Sequence, residues 1–417
     1  MHHAVAHSPF YQQLYRGIPL QETIDLRTLP IIDKRILMEN FDRIVTDRQL
    51  KLGELESEVR RARSDGYFLG QYRVLSTTGT SGLRGIFVYD RPAWQTVLAN
   101  TMRWHRFAGV RPRLPRRLRI CSIGADVPAH VSRCIPESGN VGLFRVLPLS
   151  AMQPLSELVG ALNRFQPEVL MPYPSIATLL AEEQMSGRLC IRPEAVMTHS
   201  EALSDDMRRR MVEAWHVLPF DHYGLTEEPH VACECEMHDG LHVFEDLSIV
   251  EVLDGQGAPA PSGQLGSRYL LTNLYNRVQP LIRYEVTDLI ATTDAPCPCG
   301  RPFSRIVQIA GRSEHILLLR DKAGRLVAIP PLALPCCLDG VPELVEYQLR
   351  HSPSRIEVLA VARSGVDQQA LRLRMIESIC NVVRTLGAEP PDIAVAFYAA
   401  LERRPDQMGK LPQVHTI

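Results

Sequence analysis

The sequence lacks any apolar segment as long as the roughly 20 residues that a membrane-spanning helix requires. Its first residues, Met1–His7, also lack the basic and then apolar pattern of a secretory signal. The formal net charge is -1, which provides no bulk attraction for nucleic acid or for an anionic membrane surface. These absences predict a cytoplasmic protein whose activity involves neither nucleic acid nor a membrane.

Nothing in the sequence indicates a disulfide framework, although the chain contains 10 cysteines. In a cytoplasmic chain, cysteines are better interpreted as reduced thiols, some of them metal ligands. Hydrophobic residues make up 45% of the 417 residues and charged residues 22%, which is ordinary for a globular protein. A chain of this length is expected to form two or three domains.

The distribution of apolar segments divides the chain into two parts. Between about residues 90 and 230, apolar segments alternate with helical patterns, which predicts α/β layers, and short strands dominate from about 241 to 310. After Gly311-Arg312, predicted strands at 316–319, 356–361 and 393–397 surround a helical pattern. We therefore predict an α/β protein with a large N-terminal domain of several subdomains (1–312) and a small α+β domain (313–417).

Hydroxyl-bearing residues and glycines alternate in one loop that follows the apolar segment Tyr72–Leu75 and precedes a predicted strand, Gly85–Tyr89. The N–H and hydroxyl groups of such a loop can surround a polyphosphate, although Ser/Thr/Gly clusters more often form solvent loops. A strand on both sides, with no lysine and helix after the glycines, disfavours a P-loop. The loop consists of Ser76, Thr77, Thr78, Gly79, Thr80, Ser81 and Gly82.

Four further motifs follow in order: Tyr223–Glu227, Arg283–Asp288, Gly311–Glu314 and Gly409–Pro412. Each alone is most simply a turn, a strand end, a linker or a tail. Their joint order and spacing resemble the acyl-adenylate-forming superfamily, which contains acyl-CoA synthetases, stand-alone adenylation domains and luciferases. The resemblance covers essentially the whole chain.

The nearest branch of that superfamily is the phenylacetate–CoA ligase-like proteins. The chain resembles this branch at Ala6–Tyr11, at Gly240–His242 with the following Glu245-Asp246, and at Pro296–Arg301. The branch contains aryl-CoA ligases and enzymes that pass an aryl adenylate to amines or carrier proteins. The resemblance also implies that the C-terminal domain is a mobile lid.

The resemblance implies a role for each motif. Lys410 and Glu227 are implied to be catalytic, with Glu227 also a ligand of Mg²⁺, and Glu314 is implied to be the interdomain hinge. The family's phosphate loop usually ends in a lysine, whereas Arg84 is the nearest cation here. Besides the loop and Arg84, the implied contacts to ATP or AMP are Ser200, Glu201, Tyr223, Gly224, Thr226, Asp288 and Arg312. The implied acid pocket contains Tyr173, Ser175 and His222.

Two thiol-rich segments, Cys233–His238 and Cys297–Cys299, fall in the same domain. Tetrahedral Zn²⁺ takes four thiolate or imidazole ligands, commonly as two close pairs from separate loops. We predict a structural zinc site formed by Cys235, His238, Cys297 and Cys299, with Cys233 or His242 as alternative ligands. The other interpretation is a set of reduced structural cysteines.

The sequence therefore predicts ATP- and Mg²⁺-dependent adenylation of an aromatic carboxylic acid, followed by acyl transfer to coenzyme A. It leaves open an amine or the thiol of a free carrier protein as the acceptor. A third interpretation is a non-catalytic zinc-binding scaffold derived from such an enzyme. The sequence is also compatible with a homodimer.

Overall fold

The computed structural model of the chain describes residues 1–19, 24–61, 66–77, 84–112, 115–125, 127–139, 142–312, 316–329, 333–338, 341–352, 354–403 and 414–416. The predicted phosphate-loop residues Thr78–Gly82, the predicted hinge Glu314 and the predicted catalytic Lys410 lie outside the described residues. In the described part of the chain, no helix combines the length and apolarity needed to cross a membrane.

The N-terminal segment forms short helices. They are α1 (His2–His7), α2 (Pro9–Leu14), α3 (Lys34–Glu39), α4 (Phe41–Ile44) and α5 (Leu52–Arg61), with a 3₁₀ turn at Leu26–Thr28. Asp33 caps α3, because its carboxylate accepts a hydrogen bond from the Ile36 N–H at 2.7 Å. The segment packs on residues far along the chain: the Tyr11 hydroxyl donates to the Pro280 carbonyl at 2.9 Å, and the Thr46 N–H donates to the Val278 carbonyl at 2.9 Å.

The predicted strand–loop–strand arrangement is present as an antiparallel pair. Strand β1 (Arg73–Ser76) enters the loop and β2 (Ile86–Tyr89) leaves it, with Ser76 opposite Ile86. Helix α6 (Arg91–Phe107) follows, and the Asp90 carboxylate caps it by accepting from the Ala93 N–H at 2.8 Å.

A large mixed sheet forms the centre of the molecule. Its parallel part alternates with helices: β3 (Leu118–Gly124), α7 (Val131–Gly139), β4 (Phe144–Ser150), α8 (Leu155–Phe165), β5 (Val169–Pro172), α9 (Pro174–Met185), β6 (Ala195–His199), α10 (Asp205–Trp215) and β7 (Phe220–Tyr223). Its antiparallel part contains β8 (Ala232–Glu234) and β9 (Leu241–Val243). Ser204 caps α10, because its hydroxyl accepts a hydrogen bond from the Met207 N–H.

A second, three-stranded sheet contains β10 (Ser248–Leu253), β11 (Arg268–Asn273) and β12 (Tyr284–Val286). Strands β13 (Asp288–Thr293) and β14 (Arg305–Arg312) then return to the large sheet. The order of the large sheet is β13-β14-β9-β8-β7-β6-β5-β3-β4 among the described residues. Because β12 ends two residues before β13 begins, the two sheets meet at Asp288.

The C-terminal part forms a small domain with its own core. Its elements are β15 (Leu317–Arg320), β16 (Leu326–Ile329), α11 (Pro335–Leu338), β17 (Leu344–Ser352), β18 (Arg355–Ala362), α12 (Gln368–Thr385), β19 (Asp392–Phe397) and β20 (Val414–Thr416). Four strands pair in the order β19-β18-β17-β20, and α12 buries Leu371, Met375, Ile379 and Val383 in a core that includes the strands. This architecture confirms the predicted fold class, whereas the boundary at residues 312 and 313 stays a prediction.

The small domain contacts α9 and α10 through polar groups. The buried Arg210 guanidinium donates to the Leu344 carbonyl at 2.6 Å, and Arg363 forms an ion pair with Glu182 at 2.6 Å. Arg403 donates to the Ser175 hydroxyl at 3.0 Å and pairs with Glu346. These contacts hold the C-terminal sheet beside the carboxyl ends of β5 and β6.

Candidate active site

A tight loop follows β7 and contains the predicted Tyr223–Glu227 motif. The Leu225 N–H donates to the Glu228 carbonyl at 2.8 Å, and the Val231 N–H donates to the Tyr223 carbonyl at 3.1 Å. A Cβ atom on Gly224 would lie 2.1 Å from the Pro229 carbonyl oxygen. Only glycine therefore allows the chain to turn here without displacing the backbone.

The structure brings Tyr223, Asp288 and Arg312 together. The Tyr223 hydroxyl donates to one Asp288 carboxylate oxygen at 2.5 Å, and the Arg312 Nε lies 3.4 Å from the other. Asp288 and Arg312 are direct partners across β13 and β14. Burial, and then the charge of Asp288, raise the pKa of Tyr223 well above its ordinary value, so the phenol remains a donor at neutral pH. The result is an oriented carboxylate beside a half-exposed guanidinium.

Two tyrosine hydroxyls fix Glu227, one at its carboxylate and one at its main-chain carbonyl. Its carboxylate accepts a hydrogen bond from the Tyr284 hydroxyl at 3.0 Å, and its carbonyl accepts one from the Tyr89 hydroxyl at 2.8 Å. Burial raises the pKa of Glu227, while the nearby charges of Lys34 and Arg312 act in the opposite direction. A carboxylate set among cations in this way suits a hard divalent metal that is bound together with an anion.

Glu228, the next residue, was not identified from the sequence. It is fully buried and accepts hydrogen bonds from the Tyr275 hydroxyl at 2.8 Å, the Ser248 hydroxyl at 3.1 Å and the Asn273 side-chain amide. Burial raises the pKa of Glu228 to about 8. Because Ser248 and Asn273 belong to β10 and β11, Glu228 fastens the loop after β7 to the second sheet.

The two ends of the predicted phosphate loop are described. The Thr77 N–H donates to the Gly85 carbonyl at 3.0 Å, and the Gly85 N–H donates to the Thr77 hydroxyl at 2.8 Å. The Lys34 ammonium donates to the same hydroxyl at 3.1 Å. Arg84, predicted to supply the charge of the missing loop lysine, is exposed.

Ser200 and Glu201 follow β6, beside the motif at the end of β7. Ser200 has a φ of 69°, which is uncommon for a residue other than glycine, and its hydroxyl lies 3.0 Å from His199 Nδ1. The Glu201 carboxylate accepts a hydrogen bond from the Ser175 N–H at 3.0 Å. Ser175, predicted for the acid pocket, therefore lies next to Glu201 and Arg403 at the start of α9.

The other two predicted pocket residues, Tyr173 and His222, belong to one buried aromatic cluster. The ring centroids of Tyr173 and His199 are 5.3 Å apart, those of His199 and Trp104 6.3 Å, and those of Trp104 and His222 4.4 Å. His222 Nε2 lies 2.8 Å from His230 Nδ1. Trp104, His199 and His230 were missed, because Trp104 was hidden in a helical pattern and isolated histidines carry no spacing signal.

Burial disfavours the charged form of two imidazoles in this cluster, those of His222 and His230. It lowers the pKa of His222 well below its ordinary value and, with neighbouring His105 and His199, lowers the pKa of His230 to about 3. His222 and His230 therefore offer aromatic faces and neutral hydrogen-bonding groups at pH 7 rather than positive charge.

Four potential metal ligands converge where β9 lies beside the loop that precedes β14. The ligand atoms of Cys235, His242, Cys297 and Cys299 all lie within 4.8 Å of one another. The Cys235 and Cys297 sulfurs are 3.8 Å apart, and the Cys299 sulfur is 3.3 Å from His242 Nε2. Tetrahedral Zn²⁺ with ~2.3 Å bonds to sulfur places two sulfurs about 3.8 Å apart, so the donor set fits this ion.

The fourth member of this cluster differs from the predicted ligand. His238 has a φ of 49° and ends a turn in which its N–H donates to the Cys235 carbonyl at 3.0 Å. Its ring faces Phe220, and its Nδ1 lies 3.1 Å from the Glu234 carboxylate. Gly300 occupies the equivalent position after Cys297, with a φ of 76° and the same N–H to carbonyl bond. His238 therefore completes a turn, and His242 on β9 supplies the imidazole.

No protein-family model matches the chain. Among curated proteins, a phenylacetate-coenzyme A ligase of Thermus thermophilus is 33% identical over 55% of this chain and 50% of its own length. A phenylacetate-coenzyme A ligase of Pseudomonas putida is 33% identical over 42% of this chain and 40% of its own length. The chain thus spans about half the length of these relatives, or less.

Two solved structures extend the comparison to the fold. A 2-hydroxyisobutyryl-CoA ligase in the postadenylation state matches 100% of this chain and 87% of its own, with a TM-score of 0.77 and 19% identity. ATP-bound MatB from Rhodopseudomonas palustris matches 79% of this chain and 65% of its own, with a TM-score of 0.56 and 16% identity. The chain therefore shares its fold with these two structures, and in sequence it is similar to phenylacetate-coenzyme A ligases over about half of its length.

Proposed function

We propose that the protein is an ATP-dependent ligase that adenylates a carboxylic acid and transfers the acyl group to coenzyme A. The observation that carries the proposal is the group formed by Tyr223, Asp288 and Arg312, together with Glu227. An oriented carboxylate suits the two hydroxyls of a ribose, and a neighbouring guanidinium suits a phosphate. The homology to phenylacetate-coenzyme A ligases supports the same activity.

The proposed reaction has two balanced steps. An oxygen of the acid attacks the α-phosphorus of ATP, and pyrophosphate leaves with the electrons of the broken bond. A thiolate then attacks the acyl carbon, and AMP leaves. Asp288 would bind the ribose, Arg312 the phosphate and Glu227 the Mg²⁺, while Lys410 would offset the charge of the two reacting anions.

We also propose that residues 313–417 form a lid that moves about Glu314 between the two steps. The separate core of the small domain and its polar contacts with α9 and α10 support this, since polar interfaces separate more readily than apolar ones. The lid would carry Lys410 to the site for adenylation and withdraw it before thiol transfer.

We propose an aromatic acid as the substrate, and the cluster of Trp104, Tyr173, His199, His222 and His230 supports this choice. Its members are buried aromatic rings beside the loop that follows β7. Aromatic walls favour an aromatic guest through stacked and edge-to-face contacts.

The test is acid-dependent exchange of labelled pyrophosphate into ATP. The panel contains phenylacetate and substituted benzoates, with 2-hydroxyisobutyrate as an aliphatic contrast, and coenzyme A is added afterwards for product analysis. We expect exchange with an aromatic acid, formation of its CoA thioester, and loss of exchange in Lys410→Ala but not in Lys322→Ala.

Exchange with the aliphatic acid alone would contradict the aromatic assignment. An amide product, or transfer to a carrier-protein thiol, would replace coenzyme A as the acceptor. ATP binding without any exchange would favour the non-catalytic scaffold.

We further propose that Cys235, His242, Cys297 and Cys299 bind a structural Zn²⁺. The Met237 N–H lies 3.5 Å from the Cys235 sulfur, and two residues after Cys299 the Arg301 N–H makes the same contact. Such contacts support thiolate ligands, because they offset the negative charge that collects on the sulfurs. The ion would fasten the turn at 235–238 to the loop before β14.

The matched pair of variants for this site is His242→Ala and His238→Ala. We expect stoichiometric zinc by mass spectrometry in the purified wild type and in His238→Ala, and loss of zinc with a lower melting temperature in His242→Ala. Equal zinc content in the two variants would contradict the ligand set, and its absence from the wild type would remove the metal altogether.

A further inference from the structure

Lysine is rare in this chain, and one of its few lysines lies at the proposed phosphate loop. Of 46 basic residues, four are lysines: Lys34, Lys51, Lys322 and Lys410. Lys51 and Lys322 are exposed, and Lys410 is the predicted catalytic residue outside the described range. Lys34 is partly buried and does not follow the phosphate loop in sequence. The chain uses arginine nearly everywhere else, so a lysine at this position calls for a specific explanation.

Backbone hydrogen bonds fix the position of Lys34. The Ile32 N–H donates to the Arg283 carbonyl at 3.2 Å, and the Glu285 N–H donates to the Ile32 carbonyl at 2.8 Å. Ile32 thereby forms a parallel bridge with Tyr284, the residue whose hydroxyl donates to Glu227. Lys34 follows two residues later at the start of α3. Main-chain pairing with β12 therefore fixes the position of Lys34 at the start of α3.

The Lys34 side chain reaches the neck of the phosphate loop. Its ammonium donates to the Thr77 hydroxyl at 3.1 Å, and the same hydroxyl accepts from the Gly85 N–H. A Cβ on Gly85 would lie 2.9 Å from Lys34 Cε, so the glycine leaves room for the lysine stem. The three groups join the N-terminal segment to both ends of the loop.

The same pairing links Lys34 to the proposed metal ligand. Ile32 bridges Tyr284, and the Tyr284 hydroxyl donates to the Glu227 carboxylate at 3.0 Å. A carboxylate for a divalent metal and an ammonium at the neck of the phosphate loop match the charges of a polyphosphate with its metal. Arg84 is exposed, and its guanidinium is a broad planar group rather than a compact ammonium.

Resting on the proposed function, we propose that Lys34 binds the β- or γ-phosphate of ATP and supplies the ammonium that the phosphate loop lacks. An ammonium has three rotatable N–H donors, so it can hold Thr77 and a phosphate oxygen together. AMP has neither the β- nor the γ-phosphate. Lys34 therefore discriminates between the nucleotide that enters the first step and the nucleotide that leaves after the second.

The first experiment compares nucleotide binding by calorimetry in wild type, Lys34→Met and the control Lys51→Met. We expect Lys34→Met to weaken binding of ATP with Mg²⁺ by about 10- to 100-fold, the effect of losing one charge-assisted hydrogen bond. AMP affinity should change by less than about 2-fold. An equal loss for ATP and AMP, or no loss for either, would overturn the proposal.

The second experiment needs no variant and so does not depend on whether Lys34→Met folds. The wild type is treated with an amine-reactive acylating reagent in the presence of ATP with Mg²⁺ or of AMP, and the lysine peptides are quantified by mass spectrometry. We expect ATP to protect Lys34, AMP to leave it reactive, and Lys51 and Lys322 to react equally in both. Equal labelling of Lys34 with the two nucleotides would overturn the proposal.

The two proposals fail separately in these experiments. If the wild type binds ATP without exchanging pyrophosphate, the ligase function is overturned. The changes in ATP and AMP affinity in Lys34→Met then still test whether Lys34 binds the β- or γ-phosphate. A wild type that exchanges pyrophosphate while Lys34→Met keeps its ATP affinity overturns the role of Lys34 alone.

Discussion

Replacing Glu228 by glutamine should remove a pH dependence from the stability of the protein. The Glu228 carboxyl is fully buried, and its partners are two hydroxyls and an amide, none of which carries a charge. Burial raises its pKa to about 8, against an ordinary value of 4.5. Glutamine has the same shape, stays neutral at every pH and can pair with the same groups.

The sign of the effect follows from proton binding. Between pH 4.5 and about 8, the folded chain holds a proton on Glu228 that the unfolded chain has released. Stability from this group is complete below pH 4.5 and is lost as the pH rises toward 8. One pH unit in this window corresponds to at most about 1.4 kcal/mol, so from pH 5 to 8 the loss reaches up to about 4 kcal/mol.

The assay is urea unfolding of the wild type and Glu228→Gln at pH 5, 6, 7 and 8. The three tryptophans, Trp94, Trp104 and Trp215, are buried and all lie in residues 1–312. Their fluorescence therefore reports the unfolding of that part of the chain. We expect the free energy of unfolding of Glu228→Gln, relative to that of the wild type, to increase at each step toward pH 8. The exposed Glu157, replaced by glutamine, serves as the matched control. A difference between wild type and Glu228→Gln that stays constant with pH would refute a protonated Glu228.

Two further substitutions test the loop after β7 and the proposed ribose site. Gly224→Ala should lower the melting temperature and abolish pyrophosphate exchange, because its Cβ would lie 2.1 Å from the Pro229 carbonyl oxygen. The control in thermal unfolding is Gly53→Ala, because a Cβ at Gly53 would have no neighbouring atom within 4 Å. Asp288→Asn removes the negative charge beside Arg312 and should weaken ATP binding by about 10-fold in calorimetry. An unchanged preference for ATP over 2′,3′-dideoxy-ATP in this variant would contradict a ribose contact.

The parts of the site that the sequence predicted are those set by local order along the chain. Tyr223 ends β7 and Asp288 begins β13, and the order of their motifs along the chain, through its resemblance to the acyl-adenylate-forming superfamily, implied that both residues contact the nucleotide. The hydroxyl-rich loop was likewise predicted between two strands that pair with each other. In each case the signal lay within a few residues of the functional side chain.

The parts that the sequence did not predict depend on contacts between distant residues or on one backbone angle. Lys34 reaches the site because Ile32 pairs with Tyr284, and no local pattern indicates that pairing. His242 was predicted only as an alternative to His238, and the left-handed φ of His238 places that residue at the end of a turn. Its equivalence to Gly300 becomes visible only when the two turns are compared in space.

The pairing of the N-terminal segment with β12 also has a consequence for synthesis of the chain. Phe10, Tyr11, Leu37 and Phe41 belong to the same core as Tyr284, so the first helices cannot complete their packing until β12 has left the ribosome. At about 5–20 residues per second, that delay is roughly 10–50 s. During this interval the nascent chain exposes the apolar faces of its first helices, and we expect chaperones to bind these faces.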